Sequence, residues 1–165
     1  MAETWDERVA LVWAAAEQLD DATVLARIDA LVAERVAERG EADAAAAFEA
    51  ASVRDYLGNE AEAAPLYRRA LQGALDDLRR PQATIQLAST LRNLGRHAEA
   101  LDLLEDHLAE HPHDDWTAPA AAFLALTLAS AGREREAASV ALVALSATLP
   151  AYSGAVRRYA LGLRR

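Results

Sequence analysis

The 165-residue chain contains no cysteine, so disulfide bonds and thiolate metal sites are excluded. Aromatic residues make up only 5% of the chain, and glycine and proline occur seven and five times. Much of the 53% hydrophobic fraction is therefore alanine, the strongest helix former. This composition predicts closely packed helices joined by short turns and argues against a β-sheet.

Lysine is also absent, and all 17 basic side chains are arginine, set against 26 acidic ones. The formal net charge of −9 makes a nucleic-acid backbone a poor partner, so none is expected. Each arginine presents a planar fork of donors that suits carboxylates. An acidic group on a protein or peptide is thus the polar ligand that these cations favour.

The chain has no apolar run near the ~18 residues needed to span a membrane. Its first six residues, MAETWD, are acidic and lack the basic start and apolar core of a signal peptide. These features predict a cytoplasmic protein with no membrane partner.

A unit of 37 residues occurs three times in the chain. The segments LGNEAEAAPLYRRAL, LGRHAEALDLLEDHL and AGREREAASVALVAL each carry a glycine in the same register, at Gly58, Gly95 and Gly132. Glutamate follows four residues after each glycine, and alanine comes next. Glycine after a helical pattern can adopt the left-handed conformation that ends a helix. Each unit therefore predicts two amphipathic helices joined at the glycine, which must stack on neighbouring units to bury their apolar faces.

The repeats resemble the tetratricopeptide repeat family, and a bacterial branch of it, over roughly residues 43–149. Family positions for glycine, alanine and a large residue fall on Gly95, Ala100 and Leu104 in the middle unit. The small residue of each first helix becomes Ala51, Ala88 and Ala125. The departures are the period of 37, where the family usually shows about 34, and His107 at a position of packed alanine.

The resemblance implies an all-α fold, a right-handed α-α superhelix (a solenoid) of about nine helices with terminal capping helices. The chain is then a single domain over 1–165, with N-terminal capping helices in 1–41, three helix pairs in 43–149 and a C-terminal capping helix in 150–165. Thr4 to Glu7 have capping-box spacing, and Asp21 is predicted to cap a second helix that ends at Gly40. The last helix carries an exposed basic set, Arg157, Arg158, Arg164 and Arg165.

The stretch HLAEHPHDDW contains the residues most suited to catalysis. His107 and His111 are one helical turn apart and His113 follows, a pattern that can bind a transition metal. Turn chemistry offers another interpretation: His107 packs, His111 lies in a last turn, Pro112 stops the helix, and Asp114 or Asp115 caps the next. We therefore predict no metal, no cofactor and no catalytic residue, and a metal-dependent enzyme is the remote alternative.

The resemblance implies a non-catalytic scaffold that binds a peptide or protein segment in a concave groove lined by the first helix of each pair. The groove positions implied by the resemblance are Phe48, Ser52, Asp55 and Tyr56, then Ile85, Ser89, Arg92 and Asn93, then Ala122, Leu126, Ala129 and Ser130, with Arg96 and Arg133 at the turns. The arginines among these positions would bind a carboxylate of the ligand, either an acidic side chain or a free C-terminus. Alternatively, Arg92 and Arg96 pair within the protein with Asp55, Glu62 or Glu99.

A second hypothesis is a self-associating subunit, a homodimer joined through the apolar surface around Leu126 and Ala129. Another possibility is that the protein's own terminal helix occupies the groove.

Overall fold

The structure, a computed structural model, describes residues 3–164 and contains helices but no strand within that range. The nine α-helices of this part are α1 (Trp5–Ala14), α2 (Asp21–Arg39), α3 (Ala44–Tyr56), α4 (Glu60–Gln72), α5 (Arg79–Asn93), α6 (His97–Glu110), α7 (Thr117–Ser130), α8 (Glu134–Ser146) and α9 (Ser153–Gly162), with a short 3-10 turn at Ala16–Gln18. Helices that follow each other in the chain pack together, as α3 does on α4 and α7 on α8. The all-α prediction and the helical-repeat solenoid are confirmed.

The chain forms two compact units, one up to Gln86 and the other from Leu87. In the first unit, α1, α2 and α3 enclose a core whose buried members are Trp5, Val9, Val12, Ala16, Val24, Ile28 and Val53. In the second, the buried leucines include Leu91, Leu104, Leu124 and Leu128. The predicted small positions are also buried, since Ala51 and Ala88 have no exposed surface and Ala125 has 8%.

The three repeat glycines end their helices in the same way. Gly58, Gly95 and Gly132 have φ of 74°, 74° and 75°, the left-handed region that a side chain disfavours. Around Gly95, its own N–H donates to Arg92 O at 3.0 Å and the Arg96 N–H donates to Leu91 O at 2.9 Å. This pair of bonds is the Schellman motif, which satisfies carbonyls left open at a helix end. The next helix therefore begins within two residues of each glycine.

Side-chain caps set the start of the first two helices. Thr4 accepts from the Glu7 N–H and the Glu7 carboxylate accepts from the Thr4 N–H, so the predicted capping box is confirmed. The prediction that Asp21 caps α2 is wrong, because Asp20 is the cap. Its carboxylate accepts from both the N–H and the hydroxyl of Thr23, a pairing that fixes the helix start one residue earlier.

No described helix combines the length and the apolar character required to cross a membrane.

Candidate interaction surface

Helix α7 carries no charged side chain along its whole length, Thr117–Ser130. One side is buried, with Leu124 at 6% exposure and Leu128 at 3%. The opposite side is open to solvent and consists of Ala118, Ala122, Leu126, Ala129 and Ser130, which we call the α7 face. These residues recur at the spacing of one helical stripe. Leu126 is 48% exposed at its centre.

The polar atoms of α7 near this stripe are already used inside the helix. The Ser130 hydroxyl donates to Leu126 O at 3.0 Å, and the buried Thr127 hydroxyl donates to Phe123 O at 2.8 Å. The α7 face therefore offers mainly methyl and methylene groups. In a chain with 26% charged residues, a charge-free exposed stripe is a surface suited to apolar contact.

The turn arginines of the second and third repeats each pair with the glutamate three residues later. Arg96 donates to both Glu99 oxygens at 2.5 and 2.6 Å, and Arg133 donates to both Glu136 oxygens at 2.7 Å. Both forks are bidentate and both are exposed. The hydrogen bonds to Arg133 lower the pKa of Glu136. Glu99, one of the predicted internal partners, is therefore the carboxylate that Arg96 binds. A ligand carboxylate would have to compete with Glu99 for Arg96.

Arg92, Asn93 and Ser89 lie at the end of α5. The Arg92 guanidinium donates to Asn93 Oδ1 at 3.1 Å and makes no ion pair with a carboxylate of the described residues. Arg92 and Ser89 are half-buried, and Asn93 is exposed. Their assignment to a ligand site stays a prediction.

The candidate residues of the first unit differ in how much surface they present. Phe48, Ser52 and Ile85 are buried, at 5%, 8% and 4% exposure. Asp55 is half-buried and accepts from the Tyr67 hydroxyl at 3.4 Å. Tyr56 is 49% exposed, with its ring edge-on to Trp13 at 5.8 Å. Tyr56 thus offers the most accessible side chain of this set, whose role in binding also stays a prediction.

Sequence reasoning missed a buried ionic cluster around Glu49. This side chain is 3% exposed on α3, and its carboxylate accepts from Trp13 Nε1 at 2.9 Å and from Arg79 Nε at 3.2 Å. Arg79 also donates to Asp6 at 2.6 Å and Asp76 at 2.8 Å. A single glutamate within the apolar run AAAAFEAAS was the available signal for it. The cluster joins α1 and α3 to the start of α5.

Burial dominates the electrostatics of that cluster. It raises the pKa of Glu49 above its usual value, and the bonds from Trp13 and Arg79 oppose the rise. The Arg79 guanidinium also lies 5.5 Å from the Trp5 ring, and Arg35 lies 4.6 Å from the same ring. Since both Glu49 oxygens and all three Arg79 nitrogens are bonded inside the first unit, the cluster serves the fold rather than a ligand.

The histidines do not assemble into a metal centre in the described residues, where no group of three or more metal-ligating side chains occurs. His107 is buried at 7% exposure, and its Nε2 has no hydrogen-bond partner. Its ring lies 5.1 Å from that of His111, and burial lowers the pKa of His107. Asp114 accepts from the Trp116 N–H at 2.9 Å and so ties the turn that leads into α7. The packing role predicted for His107 agrees with this geometry.

A cleft of about 250 Å³ lies on the other side of α7 from the α7 face. Its apolar wall includes Leu124, Leu128 and Val140, and Glu105, Arg133, Glu136 and Arg164 surround it. Arg164 Nε donates to the buried Ser139 hydroxyl at 3.1 Å. The charges around the cleft balance, so it shows no preference for an anion or a cation.

Comparison with known proteins bears on the whole repeat region. Neither curated protein sequences nor solved structures gave a match. The sequence model of one family, described as "Tetratrico peptide repeat", matches residues 44–163, which extends past the predicted repeats to include α9. The match covers well over half of the chain, and the repeat glycines and the helices from α3 to α9 lie inside it. The chain therefore belongs to the tetratricopeptide repeat family.

Proposed function

We propose that this protein is a non-catalytic, cytoplasmic interaction module that binds a peptide or protein segment against the α7 face. Membership of the tetratricopeptide repeat family suggests a protein–protein interaction module. The observation that carries the finer proposal is the exposed, charge-free stripe on α7, with Leu126 at its centre. A ligand segment with an apolar side chain would bury this stripe.

The polar part of the proposed ligand is an acidic group. Arg92 is the predicted site arginine whose guanidinium faces an amide rather than a carboxylate. It can thus receive a ligand carboxylate without breaking an ion pair, whereas Arg96 and Arg133 would first have to release Glu99 and Glu136. That amide belongs to Asn93, which is exposed beside Arg92.

The apolar part is tested with two matched leucines. Wild type, Leu126→Asp and Leu11→Asp are immobilised, exposed to extract of the native cell, and the captured proteins are identified by mass spectrometry. Leu11 is 56% exposed on α1 and controls for adding a charge to an exposed leucine. We expect Leu126→Asp to lose a partner that Leu11→Asp retains. A partner retained by both variants would contradict the role of the α7 face.

The acidic part is tested with Arg92→Glu combined with Arg96→Glu. We expect partner capture to be lost while the melting temperature hardly changes, because an exposed ion pair such as Arg96–Glu99 contributes only about 0–1 kcal/mol. Unchanged capture by this double variant would exclude the arginine site and leave Arg96 with a purely internal role.

The same stripe supports a second candidate, a homodimer joined through Leu126 and Ala129. Light scattering separates the two, because a dimer that persists on dilution and becomes a monomer in Leu126→Asp would favour self-association through α7.

A further inference from the structure

The outer side of α9 is a basic surface without an internal partner. Gly154, Arg157, Arg158, Leu161 and Gly162 line a shallow depression of about 400 Å³ there, which we call the α9 face. Residues 137–165 contain four arginines and no acidic residue, in a chain whose net charge is −9. Positive charge is thus concentrated in one short segment of an acidic protein.

The cations of the α9 face are available to a partner. Neither Arg157 nor Arg158 pairs with a carboxylate of the described residues. The Arg158 guanidinium lies 5.0 Å from the ring of Tyr159, which is itself 70% exposed. The face therefore offers two unpaired guanidinium forks beside an exposed aromatic ring, a combination suited to carboxylates in a protein contact.

The backbone does not require glycine at either glycine position of the face. Gly154 and Gly162 lie within the helix without a positive φ, and an added Cβ would meet no atom within 4 Å at either position. Alanine would fit and would favour the helix. What glycine provides is bare backbone one turn to either side of Arg158, and this permits the close approach of another chain.

The start of α9 is also strained. Tyr152 has φ of 64°, unusual for a large side chain, and its ring is 82% exposed. A strained residue at the start of α9, and glycine at two helical positions where alanine would fit, both reduce local stability. Features of this kind concentrate at functional sites.

A complementary surface exists on α6 of the same chain. This helix has acidic residues at 99, 102, 105, 106 and 110 and no arginine. Asp102 and Asp106 are exposed, make no ion pair within the described residues, and lie one turn apart, where like charges repel. A basic helix seated on this side of α6 would remove that repulsion.

We propose that the α9 face binds the acidic side of α6 in a second copy of this protein. The contact joins unlike surfaces, because α9 against α9 would oppose arginines and α6 against α6 would oppose carboxylates. Nucleic acids and anionic membranes fit less well, since the remainder of the chain is strongly acidic and repels both. The bare backbone around Arg158 further favours a helix as the occupant. This contact is independent of the α7 face.

The test measures self-association by sedimentation velocity over a protein concentration series at about 0.1 M salt, where charges more than about 10 Å apart are largely screened. We expect Arg157→Glu/Arg158→Glu to weaken association at least about tenfold, because like charges then face each other. Asp102→Arg/Asp106→Arg should weaken it to a similar extent. Two control variants make the same changes in net charge at exposed sites on or near other helices, and both should associate like wild type. The control for the α9 variant is Arg27→Glu/Arg39→Glu, and the control for the α6 variant is Glu17→Arg/Glu38→Arg.

Mixing provides the decisive measurement. The α9 variant and the α6 variant, each associating weakly alone, should associate strongly when combined. The two reversed surfaces then carry opposite charges, and the unaltered α6 and α9 surfaces of the two variants also meet. A further pair of variants separates binding from folding: Gly154→Ala and Gly162→Ala should raise the melting temperature and yet weaken association.

A wild type that stays monomeric at all concentrations would overturn the proposal, as would a mixture that fails to associate or charge controls that lose association as completely. Binding of monomeric wild type to anionic vesicles or to single-stranded DNA, lost in Arg157→Glu/Arg158→Glu, would assign the α9 face to those polyanions instead. Association abolished by Leu126→Asp but unaffected by either reversal would place the contact on α7.

Discussion

Glu49 is an ionisable residue in a buried position, with only 3% of its surface exposed. A buried carboxylate is costly unless it is bonded, and Trp13 and Arg79 supply the bonds here. Removing either donor would leave the buried carboxylate with one bond fewer, and loss of a partner is destabilising for a buried charge. The remaining cost of burial appears as the raised pKa of Glu49.

This raised pKa predicts an unusual pH dependence. The folded state binds the Glu49 proton more tightly than the unfolded state, whose pKa is near 4.5. The stability that Glu49 contributes is therefore greatest at low pH and falls as pH rises through the window above 4.5. We expect Glu49→Gln to gain stability relative to wild type as pH rises from 4.5 to 7.5. The free energies of unfolding of both proteins are measured by urea titration across this range.

Glu7 is the control with the opposite sign. Its bonds to Thr4 lower its pKa, so its contribution is present above the unfolded value and is lost as pH falls. Glu7→Gln should therefore lose stability relative to wild type as pH rises towards 4.5 and should change little between pH 4.5 and 7.5. Parallel pH profiles for the two variants would show that burial does not control Glu49.

The repeat glycines give a second prediction at the residue scale. Gly95 has φ of 74°, and an L-residue in that region loses about 1–2 kcal/mol. Gly95→Ala should lower the free energy of unfolding by this amount in a denaturant titration. Gly154→Ala, with ordinary helical backbone and free space, should instead raise it by about 0.5–1 kcal/mol. Equal effects would mean that the left-handed turn is not what Gly95 supplies.

At the scale of the element, α7 shows how an apolar helix acquires an inside and an outside. Its sequence has no charged residue and apolar residues all round, so hydropathy alone does not distinguish its sides. Packing against α6 and α8 buries Leu124 and Leu128 and leaves Leu126 exposed. The exposed side is then available for binding.

This orientation predicts unequal costs for neighbouring leucines. Leu128→Ala should destabilise by about 2–5 kcal/mol, because it opens a cavity in the core. Leu126→Ala should stay within about 0.5 kcal/mol of wild type, as an exposed truncation does. Thermal unfolding of both variants tests this, and a Leu126 effect as large as that of Leu128 would reverse the assignment of the two sides.

At the scale of the whole molecule, charge is unevenly distributed. All 26 acidic residues lie within residues 1–136, and the 29 that follow carry only arginine among charged residues. Helix α6 concentrates acidic side chains and contains no arginine. Self-repulsion of this kind destabilises a compact state and is screened by salt.

We therefore expect the melting temperature of dilute protein to rise when sodium chloride is increased from about 0.02 M to about 0.5 M, where the Debye length is only a few ångströms. Asp102→Arg/Asp106→Arg removes repulsion within α6 and should show a smaller rise. A melting temperature that falls with salt would mean that ion pairs such as Arg96–Glu99 outweigh the repulsion.

The sequence by itself determined the helices and the turns between them. Capping at Thr4 and the left-handed glycines at 40, 58, 95 and 132 act through neighbouring atoms, and local chemistry can be read from local sequence. The 37-residue register then indicated helix pairs that stack, and the family match agrees with it.

Only the tertiary structure decided which surfaces remain open. Phe48 and Ile85 are buried, while Leu126 on the more apolar helix α7 is exposed, because neighbouring helices cover the first two side chains and leave the third open. Likewise, Glu49 was paired by residues 36 positions before it and 30 positions after it. Side-chain burial and long-range pairing depend on which elements meet in space, and in an alanine-rich chain the periodicity of apolar residues is too weak to specify this in advance.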